Sequence, residues 1–238
     1  MASWTDKVAV QTTLQLKELF GIDEFVETGT YTGVNLKFYA NKFSRVKSCE
    51  LNKVPLETAL ARTKQFTNVR IFNMTSPKFL KQYVKDSRTL GAEQPVFIYL
   101  DAHFYDPTLP KNKRFVVLDE LRALKNFRNC LIAIHDFDNG KFGHITYDGQ
   151  PLNLELVKDG LLKVNPNFKF YTNTECDIVE PGEIKKGKID GLDWDEEMES
   201  TLKFVWSKPQ KTYRGILYVI PIELTQEQLI KFKLEKHG

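Results

Sequence analysis

The sequence has no run of 18 apolar residues, so no segment is expected to cross a bilayer as a helix. Cysteine is scarce. Cys49, Cys130 and Cys176 are an odd, widely spaced set with no C-x-x-C pair, which argues against a disulfide framework and a zinc site. Cys49 and Cys130 sit in apolar runs and are expected to be buried thiols in a reducing compartment. Charge of one sign is also lacking: 34 Lys and Arg against 31 Asp and Glu leave a net charge of +3. Non-specific phosphate binding needs a concentrated basic face, so this balance argues against a nucleic-acid partner without excluding one. There are no internal repeats and no low-complexity linker. The opening stretch "MASWTDKVAVQTTLQLKELF" carries Asp6, Lys7 and Lys17 and has no continuous apolar core. It reads as neither a signal peptide nor a membrane span, and the expectation is a cytoplasmic protein without a membrane partner.

What is present is alternation. The 238 residues are 42% apolar and 27% charged, which suits one α/β domain over 1–238. Residues 5–20 show helical spacing (Val8, Leu14, Leu16, Leu19) and stop at Gly21. After them "EFVET", "RVKSCEL", "NVRIFNM", "PVFIYLDAH" and "NCLIAIHDF" read as strands, separated by helical segments. Strands alternating with helices imply right-handed βαβ units and a parallel sheet. "VFIYL" and "CLIAI" are apolar on both faces, as strands covered by helices on each side should be. Beyond Phe137 the pattern loosens. Residues 138–210 read as an irregular insertion or lid, with "LELVKDGLLKV" a helix and "NFKFYTN" a strand inside it. "YRGILYVIPI" is a clear strand, and "TQEQLIKFKLEKHG" a terminal helix capped by Thr225. The apolar side of that helix (Leu229, Ile230, Phe232, Leu234) suits either the core or an interface in a homo-oligomer.

Ligands of such sheets bind at the carboxyl ends of the strands, so the polar residues there carry the functional question. The first strand runs into "ETGTYTG". Its glycines let the backbone approach a ligand, and the helix that follows offers free N–H groups. The turn is not the G-x-G-x-x-G of a dinucleotide fold. Glu27, two residues before Gly29, would repel a pyrophosphate and favour an amine or a sulfonium cation. Glu50 ends the second strand, where an acid can accept hydrogen bonds from both hydroxyls of a ribose. The bland alternatives are a tight strand–helix turn with no ligand and a solvated strand-end carboxylate. Asp101 and His103 follow the fourth strand, and His135, Asp136 and Asp138 follow the fifth. Three acids and two histidines at neighbouring strand ends point to a functional cluster.

Together these residues resemble the class I S-adenosylmethionine-dependent methyltransferases over about Phe25 to Phe137. The family pattern E-x-G-x-x-x-G falls on Glu27, Gly29 and Gly33. By resemblance that turn, with Thr28 and Thr30, cradles the methionine part of the cofactor, Glu50 holds the ribose, and Thr75 in "FNMTS" stands beside the adenine where an acid is common. The resemblance implies an α/β, Rossmann-like, doubly wound sheet of seven strands, mostly parallel with the last antiparallel, and helices on both faces. "YLDAHFYDPTL…VLDELRAL…LIAIHDF" looks like the metal-dependent sugar O-methyltransferases of the macrocin and cephalosporin-hydroxylase type. In that branch Asp101 and Asp136 would hold Mg2+ or another divalent cation, with His135 or Asp138 as the third ligand, Asp101 also lying by the cofactor, and His103 as general base. The chemistry is coherent. An aliphatic hydroxyl is a poor nucleophile at neutral pH. A hard cation lowers its pKa, and a neutral histidine takes its proton. The same carboxylates and histidines also serve metal-free acid–base work.

The expected acceptor is a saccharide or another hydroxylated small molecule. Tyr147, Trp194 and Trp206 either stack on it or form the insertion's own core. A nucleic-acid methyltransferase, a nicotinamide-dependent oxidoreductase and a cofactor-binding protein without catalysis are the rival readings. The near-neutral charge, Glu27 and the cluster from Asp101 to Asp138 count against them in turn.

Overall fold

The computed structural model of the chain describes residues 6–89, 94–102, 115–142, 144–147, 149–176 and 214–238. Helix α1 (Lys7–Phe20) begins where the Asp6 carboxylate accepts from Val8 N at 3.0 Å and Ala9 N at 3.1 Å. It ends at Gly21, whose left-handed backbone (φ 61°) satisfies the last carbonyls of the helix. Then follow β1 (Glu24–Thr28), α2 (Val34–Tyr39), β2 (Arg45–Cys49), α3 (Lys53–Thr63), β3 (Val69–Phe72), α4 (Ser76–Thr89), β4 (Val96–Leu100), α5 (Val116–Ala123) and β5 (Cys130–Ile134). A short hairpin of β6 (Thr146–Tyr147) and β7 (Gln150–Pro151) precedes α6 (Leu154–Val164) and β8 (Lys169–Asn173). The described chain closes with β9 (Leu217–Ile220), α7 (Gln226–Phe232) and β10 (Leu234–Lys236).

The main sheet runs in the order β10-β8-β9-β5-β4-β1-β2-β3. Strands β1 to β5 are mutually parallel, and each of the pairs β5–β9, β9–β8 and β8–β10 is antiparallel. The order reverses between β1 and β4, where successive crossovers leave in opposite directions and open a crevice. Thr28 lies opposite both Cys49 and Leu100, and Leu100 opposite Ile134. The polar residues after β1, β2, β4 and β5 therefore emerge on one edge.

Alternation along the strands divides the core in two. Phe25, Phe97, Tyr99, Leu131, Ala133 and Tyr218 pack with α1, α2 and α7 on one face. Val26, Ile98, Leu100, Ile132, Ile134 and Val219 pack with α4, α5 and α6 on the other. Both faces are covered, which is why β4, β5 and β9 read as unbroken apolar runs. Cys49 and Cys130 are buried free thiols, and burial pushes both of their pKa values up.

The structure corrects the sequence expectation in three places. The sheet has eight strands rather than seven, and two of them, β9 and β10, run against the parallel set. The extra strand comes from the end of the chain. Thr225 caps α7 with a capping box as expected, but the helix stops at Phe232 because Lys233 turns left-handed (φ 56°). From there the chain runs extended, with Leu234 opposite Asn173 and Lys236 opposite Tyr171 of β8. The apolar side of the expected terminal helix is accordingly split: Phe232 and Leu234 join the core, while Ile230 is 65% exposed. Finally, α6 and β8 lie within the span expected to be an irregular insertion, yet they belong to the sheet and the helical layer over it. Residues 177–213, with Trp194 and Trp206, lie outside the described residues. Among those described, no helix is long and apolar enough to cross a membrane.

Candidate functional site

The glycine turn is pinned from several sides. Gly29 N and Thr30 N donate to the Cys49 carbonyl at 3.2 and 3.0 Å, and the Thr30 and Ser48 hydroxyls lie 2.6 Å apart. Gly29 (φ 79°) has to be glycine: a Cβ there would lie 2.7 Å from the Asp101 carbonyl oxygen and 2.9 Å from Ala102 Cα. The same is true of Gly33 (φ 78°), where a Cβ would come 2.8 Å from Ala59 Cβ on α3. Thr28 is buried, and its hydroxyl accepts from Asp101 N at 3.3 Å. The turn after β1 and the end of β4 are thus in direct contact.

Glu50 stands at the C-terminal end of β2. Its Oε2 accepts from Tyr31 N and its Oε1 from Asn52 N, both at 2.8 Å. These bonds fix the plane of the carboxylate, and each oxygen keeps a second lone pair for a hydroxyl donor. Asn73 after β3 donates to the carbonyls of Glu50 and Leu51 at 2.8 and 3.0 Å, so the third strand end is tied to the second. Thr75 is exposed on the same edge, just ahead of α4.

Glu27 behaves differently from the sequence expectation. It is 1% exposed, accepting from Asn35 Nδ2 at 2.6 Å and from the Ser48 hydroxyl at 3.3 Å. Burial is the main influence on its carboxyl, and against the lowering effect of the Asn35 hydrogen bond it pushes the pKa up to about 8. At neutral pH the group is mostly protonated. It is thus a neutral tie between β1, β2 and α2 rather than a standing negative charge. Asn35 and Ser48, its partners, escaped the sequence reading. β2 also carries Arg45 and Lys47, so nothing in the sequence sets Ser48 apart; the structure buries it directly opposite Glu27 in the β1–β2 register.

At the ends of β4 and β5, Asp101, His135 and Asp136 come together, with one ligand atom from each all lying within 4.8 Å of one another. His135 Nδ1 is 3.1 Å from Asp101 Oδ1 and 2.7 Å from Asp136 Oδ1. The His135 side chain is 1% exposed and that of Asp101 11%. Asp136 reaches this position through a left-handed backbone (φ 56°), which non-glycine residues adopt at a cost and which recurs at functional sites. Burial alone would lower the His135 pKa, but the Asp136 and Asp101 carboxylates beside it outweigh burial and the net direction is up. One proton on Nδ1 cannot serve two carboxylate oxygens equally well. Two hard oxygens and one imidazole nitrogen converging on one point are also a donor set that suits a divalent cation.

Asp138 is not part of this cluster. Its Oδ1 accepts from Gly140 N at 3.0 Å and lies 3.3 Å from His144 Nδ1. Phe137 N donates to the Gly215 carbonyl and Asp138 N to the Leu152 carbonyl, so the chain turns toward the β6–β7 hairpin and carries Asp138 with it. Of the two residues considered for the third position, His135 is the one brought to Asp101 and Asp136. Tyr147 belongs to the hairpin, and His103 lies outside the described residues.

No family model matches this chain, and no curated protein matches its sequence. Among solved structures it superposes on human methyltransferase-like protein 13 in complex with SAH, with a TM-score of 0.53 over 95% of this chain and 87% of that one. The chain shares its fold with that methyltransferase. Sequence identity in that superposition is 16%, so the likeness is one of fold alone. Two further structures overlay too loosely to add to it. One is the SAM-dependent methyltransferase from Anabaena variabilis, with 16% identity, 90% of this chain, 83% of that chain and a TM-score of 0.46. The other is the O-methyltransferase TomG from Streptomyces achromogenes in complex with SAM, with 13% identity, 89% of this chain, 78% of that chain and a TM-score of 0.48.

Proposed function

We propose that the chain is an S-adenosylmethionine-dependent methyltransferase that methylates a hydroxyl group, with a saccharide or glycosylated small molecule as the leading acceptor. The observation that carries this reading is the contact of Gly29 with Asp101. The turn suited to the cofactor and the acid–histidine cluster share a wall, so a methyl donor lying on the turn reaches toward Asp101, His135 and Asp136. Glu50, whose carboxylate is oriented by Tyr31 N and Asn52 N, would accept from the ribose hydroxyls.

In the reaction the bond from sulfur to the methyl carbon breaks as the bond from the acceptor oxygen forms. The hydroxyl proton leaves to a base, and the sulfonium becomes a neutral thioether. The step runs in line, so positioning supplies much of the rate. Asp101, His135 and Asp136 would hold a divalent cation, and the donor set fits one. Bound there, such a cation lowers the pKa of the acceptor hydroxyl. His103 is the base implied by the sequence resemblance. Asp101 and Asp136 orient the imidazole of His135, and the burial of His135 and Asp136 limits water at the reacting oxygen.

The cation is tested with Mn2+, titrated and followed by electron paramagnetic resonance. One equivalent should bind the wild-type protein, and the Asp101→Asn, Asp136→Asn double variant should bind at least tenfold more weakly, two charged ligands having been removed. Equal binding by both proteins would place the cation elsewhere. Transfer from a labelled methyl donor to a panel of saccharides and other hydroxylated compounds tests the acceptor.

A further inference from the structure

We propose that Arg62, on α3, is a positioning residue of the cofactor site: it holds the glycine turn in its ligand-ready shape without touching the ligand. This rests on the methyltransferase reading above. Arg62 is only 9% exposed, and its Nη1 donates to the Thr32 carbonyl. Burying a guanidinium is costly unless its donors are used, so a buried arginine marks a group that has to be held.

What it holds is a strained piece of backbone. Thr32 stands between Tyr31 (φ 48°) and Gly33 (φ 78°), and both neighbours are in the left-handed region. For Tyr31 that conformation is unfavourable and persists only where the surroundings impose it. Four restraints converge there. Tyr31 N is bound by Glu50 and Gly33 N by the Thr30 carbonyl. Gly33 rests on Ala59, and the Thr32 carbonyl takes the charged donor of Arg62.

Two of these restraints come from one face of α3. Ala59 and Arg62 are three residues apart, so they share a face, and both are buried with Thr63 while Val54 and Leu60 are exposed. The face of α3 that meets the turn is thus its buried one. Charge-assisted donation to a carbonyl is among the stronger hydrogen bonds, and a planar guanidinium gives it a fixed direction. The Glu50 carboxylate is bound to the same turn through Tyr31 N and to the N-cap residue of α3 through Asn52 N. Loosening the Thr32 carbonyl would therefore disturb the two groups expected to meet the cofactor, the turn and the ribose acid, together.

The test uses Arg62→Met, Arg62→Lys and, as a control for lost stability, Val84→Ala in the core on α4. S-adenosylhomocysteine binding is read by calorimetry, and amide hydrogen exchange is read over residues 29–33. Arg62→Met is expected to weaken binding about tenfold, the scale of one hydrogen bond to a charged donor, and to speed exchange in the turn. Arg62→Lys, which keeps a donor, should recover most of the loss. Val84→Ala should lower the melting temperature and leave both readouts unchanged. If the wild-type protein binds and Arg62→Met binds equally well, or Val84→Ala weakens binding as much, the role of Arg62 is overturned and the methyltransferase reading stands. A wild-type protein that does not bind S-adenosylhomocysteine would overturn that reading, and the cofactor role of Arg62 with it.

Discussion

Between about pH 4.5 and pH 8 the Glu27 carboxyl keeps its proton in the folded protein and gives it up in the unfolded chain. The unfolded state binds fewer protons in that window, so the contribution of this group to stability is full below pH 4.5 and is lost as pH rises toward 8. Glu27→Gln removes the titration and keeps an oxygen for Asn35. The melting temperature of the variant should therefore fall less between pH 5 and pH 8 than that of the wild-type protein, and parallel curves would show that Glu27 is not the titrating group. Gly29 is decided by space and backbone together. Gly29→Ala would force a methyl group to 2.7 Å from the Asp101 carbonyl oxygen at a φ of 79°. It should cost about 1–3 kcal/mol of stability and abolish detectable cofactor binding, as thermal melts and titration would show.

At the scale of elements, β10 makes the clearest prediction. Leu234 is 4% exposed and pairs opposite Asn173 of β8, at the edge of the sheet. Leu234→Ala should destabilise the protein by about 2 kcal/mol, at the low end for a buried leucine because an edge strand can relax. A change within error in a denaturant melt would mean that β10 contributes little. β4 and β5 were legible in the sequence because being apolar on both faces leaves few alternatives, and β1 to β3 because short strand-like segments alternate there with helical ones. β10 was not, since "KLEK" is short and charged and continues the helical spacing of the segment before it. The strand ends were legible for a related reason. A polar residue that stops an apolar run has to surface at the sheet edge, which located Glu50, Asp101, His135 and Asp136. Choosing between His135 and Asp138 needed the left-handed turn at Asp136 and the pull of the hairpin on residue 138, and neither leaves a mark in the sequence. The sequence does not show the burial of Glu27, which raises its pKa, because that burial depends on Asn35 and Ser48 arriving from other elements.

At the scale of the molecule, two apolar cores clamp a sheet whose strand order reverses between β1 and β4, and the groups with useful chemistry lie along the edge beside that reversal. The account's central claim is that this edge holds a methyl-donor cofactor. Calorimetric titration of the purified protein with S-adenosylhomocysteine, with NAD as the control, tests it most directly. The account predicts one site for S-adenosylhomocysteine and none for NAD. Binding of NAD instead, or of neither compound, would contradict it and leave "ETGTYTG" as a tight turn between a strand and a helix.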